Sequence, residues 1–289
     1  MEANRRRTLK ADLALLGVTL IWGVTFTVIK EALAGIGPYY FLGIRFSLAG
    51  LFLVLIFVKR VVRLDRRTLI AGAFIGVLLF AGYAFQTVGL KYTSASNAGF
   101  ITGLSVVLVP LMGAAMSRRL PGNGVKTGVA GAAGGLAALS LGDDLSIGYG
   151  DMLVSLCAVS FALQIILVGR YAPRHDPVNL AIVQIGTVAV ASLTFAFFLE
   201  SPPASLNGDV WAALLITALP ATAIAFLVQN TVQKFTTPNH TAIIFTMEPV
   251  FAAACARLFW GEVMAGRQYA GCLLILAGML IAELKDHPD

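Results

Sequence analysis

Long uncharged runs alternate with short charged or Gly/Pro-rich breaks along this chain. Residues 68–90, 92–117, 177–199 and 210–233 carry no Asp, Glu, Lys or Arg. Each meets or exceeds the roughly 20 apolar residues that a helix needs to cross a bilayer core about 30 Å thick. Alternating segments of about ten residues, the mark of a membrane barrel, are absent, so helices must satisfy the backbone polar groups in lipid. Taking the breaks as boundaries predicts ten crossings, at 13–33, 38–58, 69–90, 94–117, 124–142, 150–169, 177–199, 209–233, 238–259 and 267–284. The expected fold is an all-α integral membrane protein.

The order of residues repeats once. "ADLALLGVTLIWG" from residue 11 aligns with "GDMLVSLCAVSFA" from 150, pairing Asp12 with Asp151, Pro38 with Pro177 and Arg45 with Gln184. After a four-residue adjustment, "GYAFQ" at 82 meets "AFLVQ" at 225 and "KYTSASNA" at 91 meets "KFTTPNHT" at 234, so Gln86 corresponds to Gln229. Gly128 and Gly135 then match Gly271 and Gly278, whereas Ser105 and Val106 stand opposite Glu248 and Pro249. The halves run 1–142 and 143–289. Each holds five expected crossings, an odd number, so the second half enters the membrane from the opposite side. Inverted repeats around a midplane site are a recurrent plan of secondary transporters.

Composition agrees with the hydropathy pattern: 58% of residues are hydrophobic and 12% charged, against about 25% charged in soluble domains. A formal net charge of +6 raises the question of a nucleic-acid partner, because basic clusters contact phosphates. Here the Lys and Arg residues, Arg45 apart, sit at or near helix ends. With the N-terminus inside, most fall on the cytoplasmic side, the positive-inside distribution. The expected setting is the inner (cytoplasmic) membrane, with both termini cytoplasmic, the lipid bilayer as partner and no nucleic acid. The "RRR", apolar run and "ALA" near the start have the layout of a signal peptide, but Lys30 and Glu31 interrupt the approach to that site, so cleavage is not expected. Cys157, Cys255 and Cys272 lack paired spacing, and no disulfide, metal or cofactor is indicated.

The segments "IRFSLAGLFL", "KYTSASNAGFITGLSVVLVPL" and "TAIIFTMEPVFAAACARLFWGE" resemble the two EamA-type repeats of the drug/metabolite transporter superfamily, over essentially the whole chain. The resemblance implies a ten-helix carrier, often an exporter of small metabolites or amino acids, with a central cavity lined by the first four helices of each half. Carriers of nucleotide sugars and phosphorylated sugars belong to the same superfamily, so it does not name a substrate.

Charges inside crossings mark candidate chemistry, since they are costly in lipid and face water or a partner. Glu248 lies midway along the ninth crossing, with His240, Ile244 and Glu248 on one helical face; it reads either as a titratable binding residue or as a buried helix-to-helix hydrogen bond, and His240 with Glu248 as a proton path. Arg45 has three readings: snorkelling outward, touching substrate, or pairing with Glu248 across the halves. Trp22, Tyr83, Gln86, Asn97, Gln164, Gln184, Gln229 and Asn230 supply further polar groups. Individually each reads as an interhelical hydrogen bond, and together as the lining of a wet substrate-binding cavity. Gly131 and Gly135 have GxxxG spacing, which reads as helix packing within the chain or as a homodimer face.

No Walker-type sequence is present, so direct ATP coupling is not expected. The rival reading is a membrane-embedded enzyme acting on a lipid or lipid-linked substrate. It requires a convergent acid, base, nucleophile or metal set, and no catalytic residues can be assembled. The reading that follows is a secondary transporter, not an enzyme: it moves small organic metabolites outward by alternating access.

Overall fold

The computed structural model describes residues 2–93, 95–118, 120–140, 148–260 and 266–285. Among them there is no strand. The helices are α1 (Glu2–Ala32), α2 (Pro38–Ile56), a single turn α3 (Val58–Val61), α4 (Arg66–Gly89), α5 (Ala95–Gly103), α6 (Ser105–Ser117), α7 (Asn123–Ser140), α8 (Tyr149–Tyr171), α9 (Pro177–Leu199), α10 (Gly208–Ala218), α11 (Ala225–Val232), α12 (Pro238–Phe245), α13 (Met247–Trp260) and α14 (Gly266–Lys285). Six stretches are long and apolar enough to cross a bilayer: Thr8–Ala32, Pro38–Ile56, Arg66–Gly89, Tyr149–Tyr171, Pro177–Leu199 and Gly208–Phe235. The molecule is a multi-pass membrane protein.

Local chemistry sets where these helices begin. Pro38, Pro177 and Pro238 each open a helix, where the missing N–H is an orphan anyway and φ is preset. Asp65, Asp176, Asn207 and Thr237 cap α4, α9, α10 and α12 by accepting backbone N–H bonds, which satisfies donors that have no intrahelical partner.

Three crossings expected to be continuous are interrupted. The 94–117 run divides at Leu104 between α5 and α6, and the 238–259 run at Thr246 between α12 and α13. Pro249 accounts for the second break: its ring clashes with the carbonyl four residues back, at Phe245, the last residue of α12. Thr246 closes that end by donating its hydroxyl to the Ile243 carbonyl at 2.6 Å. Pro110 lies inside α6 without ending it. The 209–233 run is widened into a π-helical turn, Leu219–Ile224, between α10 and α11. Pro220 removes one helical donor there, and a π turn re-spaces the ladder around it.

Loops gather at two faces. On the N-terminal face, Arg60 pairs with Asp176 at 3.2 Å, Asn179 donates to the Arg60 carbonyl, and Thr68 meets His175 at 2.9 Å. The opposite face holds Lys30 on the Thr93 carbonyl, Thr93 on Asp151, and both Glu200 carboxylate oxygens on the N–H groups of Tyr39 and Tyr40. The last contact places an anion on the amino end of α2, where the helix dipole favours it. Between the faces α2 packs on α9, α4 on α8 and α9, α1 on α10–α13, α6 on α12, and α7 on α14.

Glycine permits the tightest of these approaches. A Cβ on Gly135 would lie 2.6 Å from the Gly271 carbonyl, and one on Gly278 2.7 Å from the Gly128 carbonyl. The GxxxG face of α7 is therefore filled by α14 of the same chain, and the contact rests on dispersion between close backbones, the main attraction available in lipid.

Candidate functional site

The interruptions converge on one cavity. Gly103 and Ser105 flank the α5–α6 break, Phe245 and Glu248 flank the α12–α13 break, and all four line it. Trp22, Thr25 and Ile29 of α1, Arg45 of α2, Leu79, Tyr83 and Gln86 of α4, Phe161 and Gln164 of α8, and Phe226 of α11 complete most of the wall. Measured to the centres of water-sized spheres it encloses about 60 Å³. One water needs roughly 10–15 Å³ on that measure, so the space holds about four to six waters or a small polar group.

Aromatic rings form part of the wall and the layer behind it. Phe46, Tyr83, Phe161 and Phe226 form a connected set around Tyr83, with ring centroids 5.0, 5.2 and 6.1 Å from it in edge-on arrangements. Trp22 stands 5.0 Å from Phe245 and donates its indole N–H to the Ala221 carbonyl at 2.8 Å. That carbonyl belongs to the π turn.

Arg45 is 1% exposed, the largest fully buried side chain among the described residues. Its Nε donates to Thr222 Oγ1 at 2.7 Å, and the Thr222 hydroxyl donates in turn to the Thr217 carbonyl at 2.8 Å. The guanidinium lies 5.0 Å from the centroid of Tyr83 and 5.3 Å from that of Phe46, a cation–π setting worth about 0.5–2 kcal/mol per contact. Among the described residues its Nη1 has no hydrogen-bond partner. Glu248 lines the same cavity, and among the described residues no ion pair joins it to Arg45. Pairing of the two, one of the readings open for Arg45, is not the arrangement found; snorkelling is excluded by burial.

A scan against family models matches the EamA-like transporter family twice, over residues 9–141 and 148–283. The chain belongs to the EamA-like transporter family. It is 37% identical over 279 residues to an uncharacterized transporter of Archaeoglobus fulgidus, covering 96% of this chain and 87% of that one. The uncharacterized transporter YyaM of Bacillus subtilis is 27% identical, covering 93% and 92% of the two chains. For the uncharacterized inner membrane transporter YedA of Escherichia coli the identity is 26%, with 95% and 90% covered. A protein of known crystal structure superposes with a TM-score of 0.79 over 95% of this chain and 96% of its own, at 19% identity. That likeness concerns the fold alone.

In this EamA-like chain the polar residues singled out in the sequence divide into two groups. Trp22, Arg45, Tyr83, Gln86, Gln164 and Glu248 line the cavity. Gln184, Gln229 and Asn230 do not; each is 0% exposed. They form an amide cluster toward the N-terminal face. Gln184 donates to Asn230 at 2.7 Å, Gln164 to Gln184 at 3.4 Å, and Gln229 to Gln164 and Gln233 at 3.2 and 3.1 Å. Gln233 then donates to the Ile165 carbonyl at 2.6 Å. The cluster ties α8, α9 and α11 together, and only Gln164 also reaches the cavity. His240 is buried in α12 and is not among the lining residues, and the break at Thr246 ends the single helical face expected to carry it with Glu248. The side chain of Asn97 lies outside the described residues.

Sequence reasoning passed over Thr222, Thr102 and Phe161. Thr102 accepts the Gln86 amide at 3.2 Å, and Phe161 meets Tyr83 edge-on. Threonine and phenylalanine are ordinary in membrane helices, and nothing in their spacing distinguishes these three. Pro220 was the one available sign that the helix beside Thr222 departs from regular geometry.

Proposed function

We propose that this protein is a secondary transporter of the inner membrane that exports small organic metabolites by alternating access, through the cavity bounded by Arg45, Tyr83, Gln164 and Glu248. The observation that carries the reading is that Arg45 and Glu248 share one cavity at the level where two helices break, with no ion pair to either among the described residues. Discontinuous helices around a central site are how carriers bring polar groups to a solute inside the bilayer. A cation and a carboxylate among aromatic rings suit amphipathic solutes that bear both charges, amino acids among them.

Ten crossings in two inverted five-helix halves, 1–142 and 143–289, belong to the same reading. Contacts between the halves support it. The alignment pairs Gly128 with Gly271 and Gly135 with Gly278. The close approaches run from Gly135 to Gly271 and from Gly278 to Gly128. Each of these contacts becomes the other when the halves are exchanged, and the two helices run antiparallel. A two-fold axis in the membrane plane has that consequence.

The cavity is displaced from the N-terminal face. It reaches Ile29 and Gln86, each one turn from the opposite end of its helix, whereas Ile165 and Phe245 stand about 10 Å from the N-terminal-face ends of theirs at 1.5 Å per residue. Leu15, Val109, Ile166, Ala242 and Ile244 pack beneath. With Lys59, Arg60, Arg63, Arg170 and Arg174 marking the N-terminal face as cytoplasmic, this is a conformation sealed toward the cytoplasm. Alternating access requires the apolar layer to part in a second state of similar energy.

Purified protein in liposomes, given a panel of amino acids and related metabolites with and without a pH gradient, tests the proposal. Saturable flux stimulated by solute on the far side supports a carrier. Flux that rises linearly without saturation, or is unaffected by Glu248→Gln together with Tyr83→Ala, removes the proposed site.

A further inference from the structure

We infer that Arg45, held in place by Thr222, is the seat for a carboxylate on the transported solute. The inference rests on the transport reading and adds the chemical group recognised and the residue that presents the receptor. Arg45 is 1% exposed and lies within a membrane-spanning helix, where an unneutralised charge is costly. Among the described residues it has no carboxylate partner, and its neighbours include the rings of Tyr83 and Phe46, the Tyr83 hydroxyl and the Thr222 hydroxyl. Ring faces lower the cost of the cation without using its N–H donors. Among the described residues Nη1 is left without an acceptor, although the side chain borders a cavity that Gln86, Gln164 and Glu248 also line. A guanidinium is a planar fork shaped for a carboxylate, and an anion entering the cavity supplies both the missing acceptor and the missing negative charge.

Thr222 fixes the direction of that fork. Its hydroxyl proton is committed to the Thr217 carbonyl, five residues earlier, so its oxygen is left to accept from Arg45 Nε. A five-residue step of this kind is available because residues 219–224 form a π turn. The same turn receives the Trp22 indole on the Ala221 carbonyl, so two cavity residues from the first half of the chain are anchored on one short segment of the second. Thr222 is a positioning residue: it does not line the cavity, and it sets where Arg45 points.

The test compares matched solutes on the intact protein. Phenylalanine against phenethylamine, and alanine against ethylamine, differ by the carboxylate, and the amino-acid amides keep the size while removing the anion. Solute-induced shifts of the thermal midpoint in detergent are read alongside competition for flux in liposomes. The wild type should bind at least one carboxylate roughly 10- to 100-fold tighter than its amine and its amide, the span expected for a charge-assisted bond to a buried group. Arg45→Gln should abolish that preference, so that the carboxylate competes no better than its own amine or amide on the same variant. Thr222→Val, which keeps the shape and removes the hydroxyl, should weaken carboxylate binding about 10-fold, and Thr222→Ser should restore it. Equal binding of the carboxylate and amide members overturns the inference, as does a preference that survives Arg45→Gln. In either case saturable flux of an amine or amide leaves the transport reading standing, whereas loss of all saturable flux with the panel removes both.

Discussion

Gly23 lies on α1 where that helix crosses α13, and replacing it by alanine tests whether the close approach at Glu248 is real. A Cβ added there would stand 2.8 Å from the Glu248 carbonyl oxygen, 3.0 Å from the Ala252 nitrogen and 3.0 Å from the Phe251 Cβ. None of these is the end of a flexible side chain. Since non-bonded carbons settle at about 3.5–4.0 Å, the two helices must part by roughly half an ångström. Overpacking of this kind costs about 1–3 kcal/mol. Gly17, on the same helix, has nothing within 4 Å of its Cβ position, so Gly17→Ala should gain only the helical preference of alanine, about 0.5–1 kcal/mol. Both variants share that gain, and the overpacking term separates them. At about 2–4 °C per kcal/mol for a domain of 150–250 residues, the thermal midpoint of Gly23→Ala should lie several degrees below that of Gly17→Ala. Tryptophan fluorescence during heating in detergent measures both. Because the strained contact is the backbone of Glu248, flux at equal protein should fall in Gly23→Ala and stay unchanged in Gly17→Ala. Coincident midpoints for the two would refute the packing argument.

Other substitutions separate scaffold from site. Gln184→Leu strips Asn230 of its donor and Gln164 of its acceptor, leaving buried polar atoms unpaired at about 1–3 kcal/mol each; the midpoint should drop while the apparent affinity for solute is retained, since Gln184 is not on the cavity wall. Gly135→Ala places a carbon 2.6 Å from the Gly271 carbonyl and should cost about 1–3 kcal/mol through α7 and α14, with flux per folded molecule unaltered. Asp65 is held below the usual carboxylate range, chiefly by the Thr68 hydroxyl and then by the Thr68 N–H. A depressed pKa stabilises the folded state above the ordinary carboxylate value of about 4 and loses that effect as pH falls through the lower folded value. The midpoint difference between wild type and Asp65→Ala should therefore be constant near neutrality and shrink below about pH 4.

Much of the helix layout was legible because each signal is local. Pro38, Pro177 and Pro238 start helices wherever they stand, and charged clusters cannot remain in the hydrocarbon. The breaks were harder to read. Pro249 announced a disturbance without saying whether the chain would kink or restart, and at Leu104 the sign is weaker still, a single Gly103 before it and Ser105 after it, since a lone glycine inside a helical run is usually tolerated. The polar residues show the same limit. Gln164 and Gln184 have equal chemistry, yet one borders the cavity and the other joins three helices, because what separates them is which way each faces after packing. Arg45 was legible as a charge in an apolar run, but its dependence on Thr222 was not, since that contact spans 177 positions and arises only from a wide turn.

The amide cluster has a consequence for how such a protein diversifies. Gln184, Gln229, Asn230 and Gln233 satisfy most of their hydrogen bonds with one another and with nearby carbonyls. The alignment of α9 and α11 is thereby held from behind the chamber, which the cluster meets only along α8, at Gln164 and Ile165. A wall residue outside those bonds, such as Ser105, can therefore change in size or polarity at less cost to the scaffold than any of the four amides.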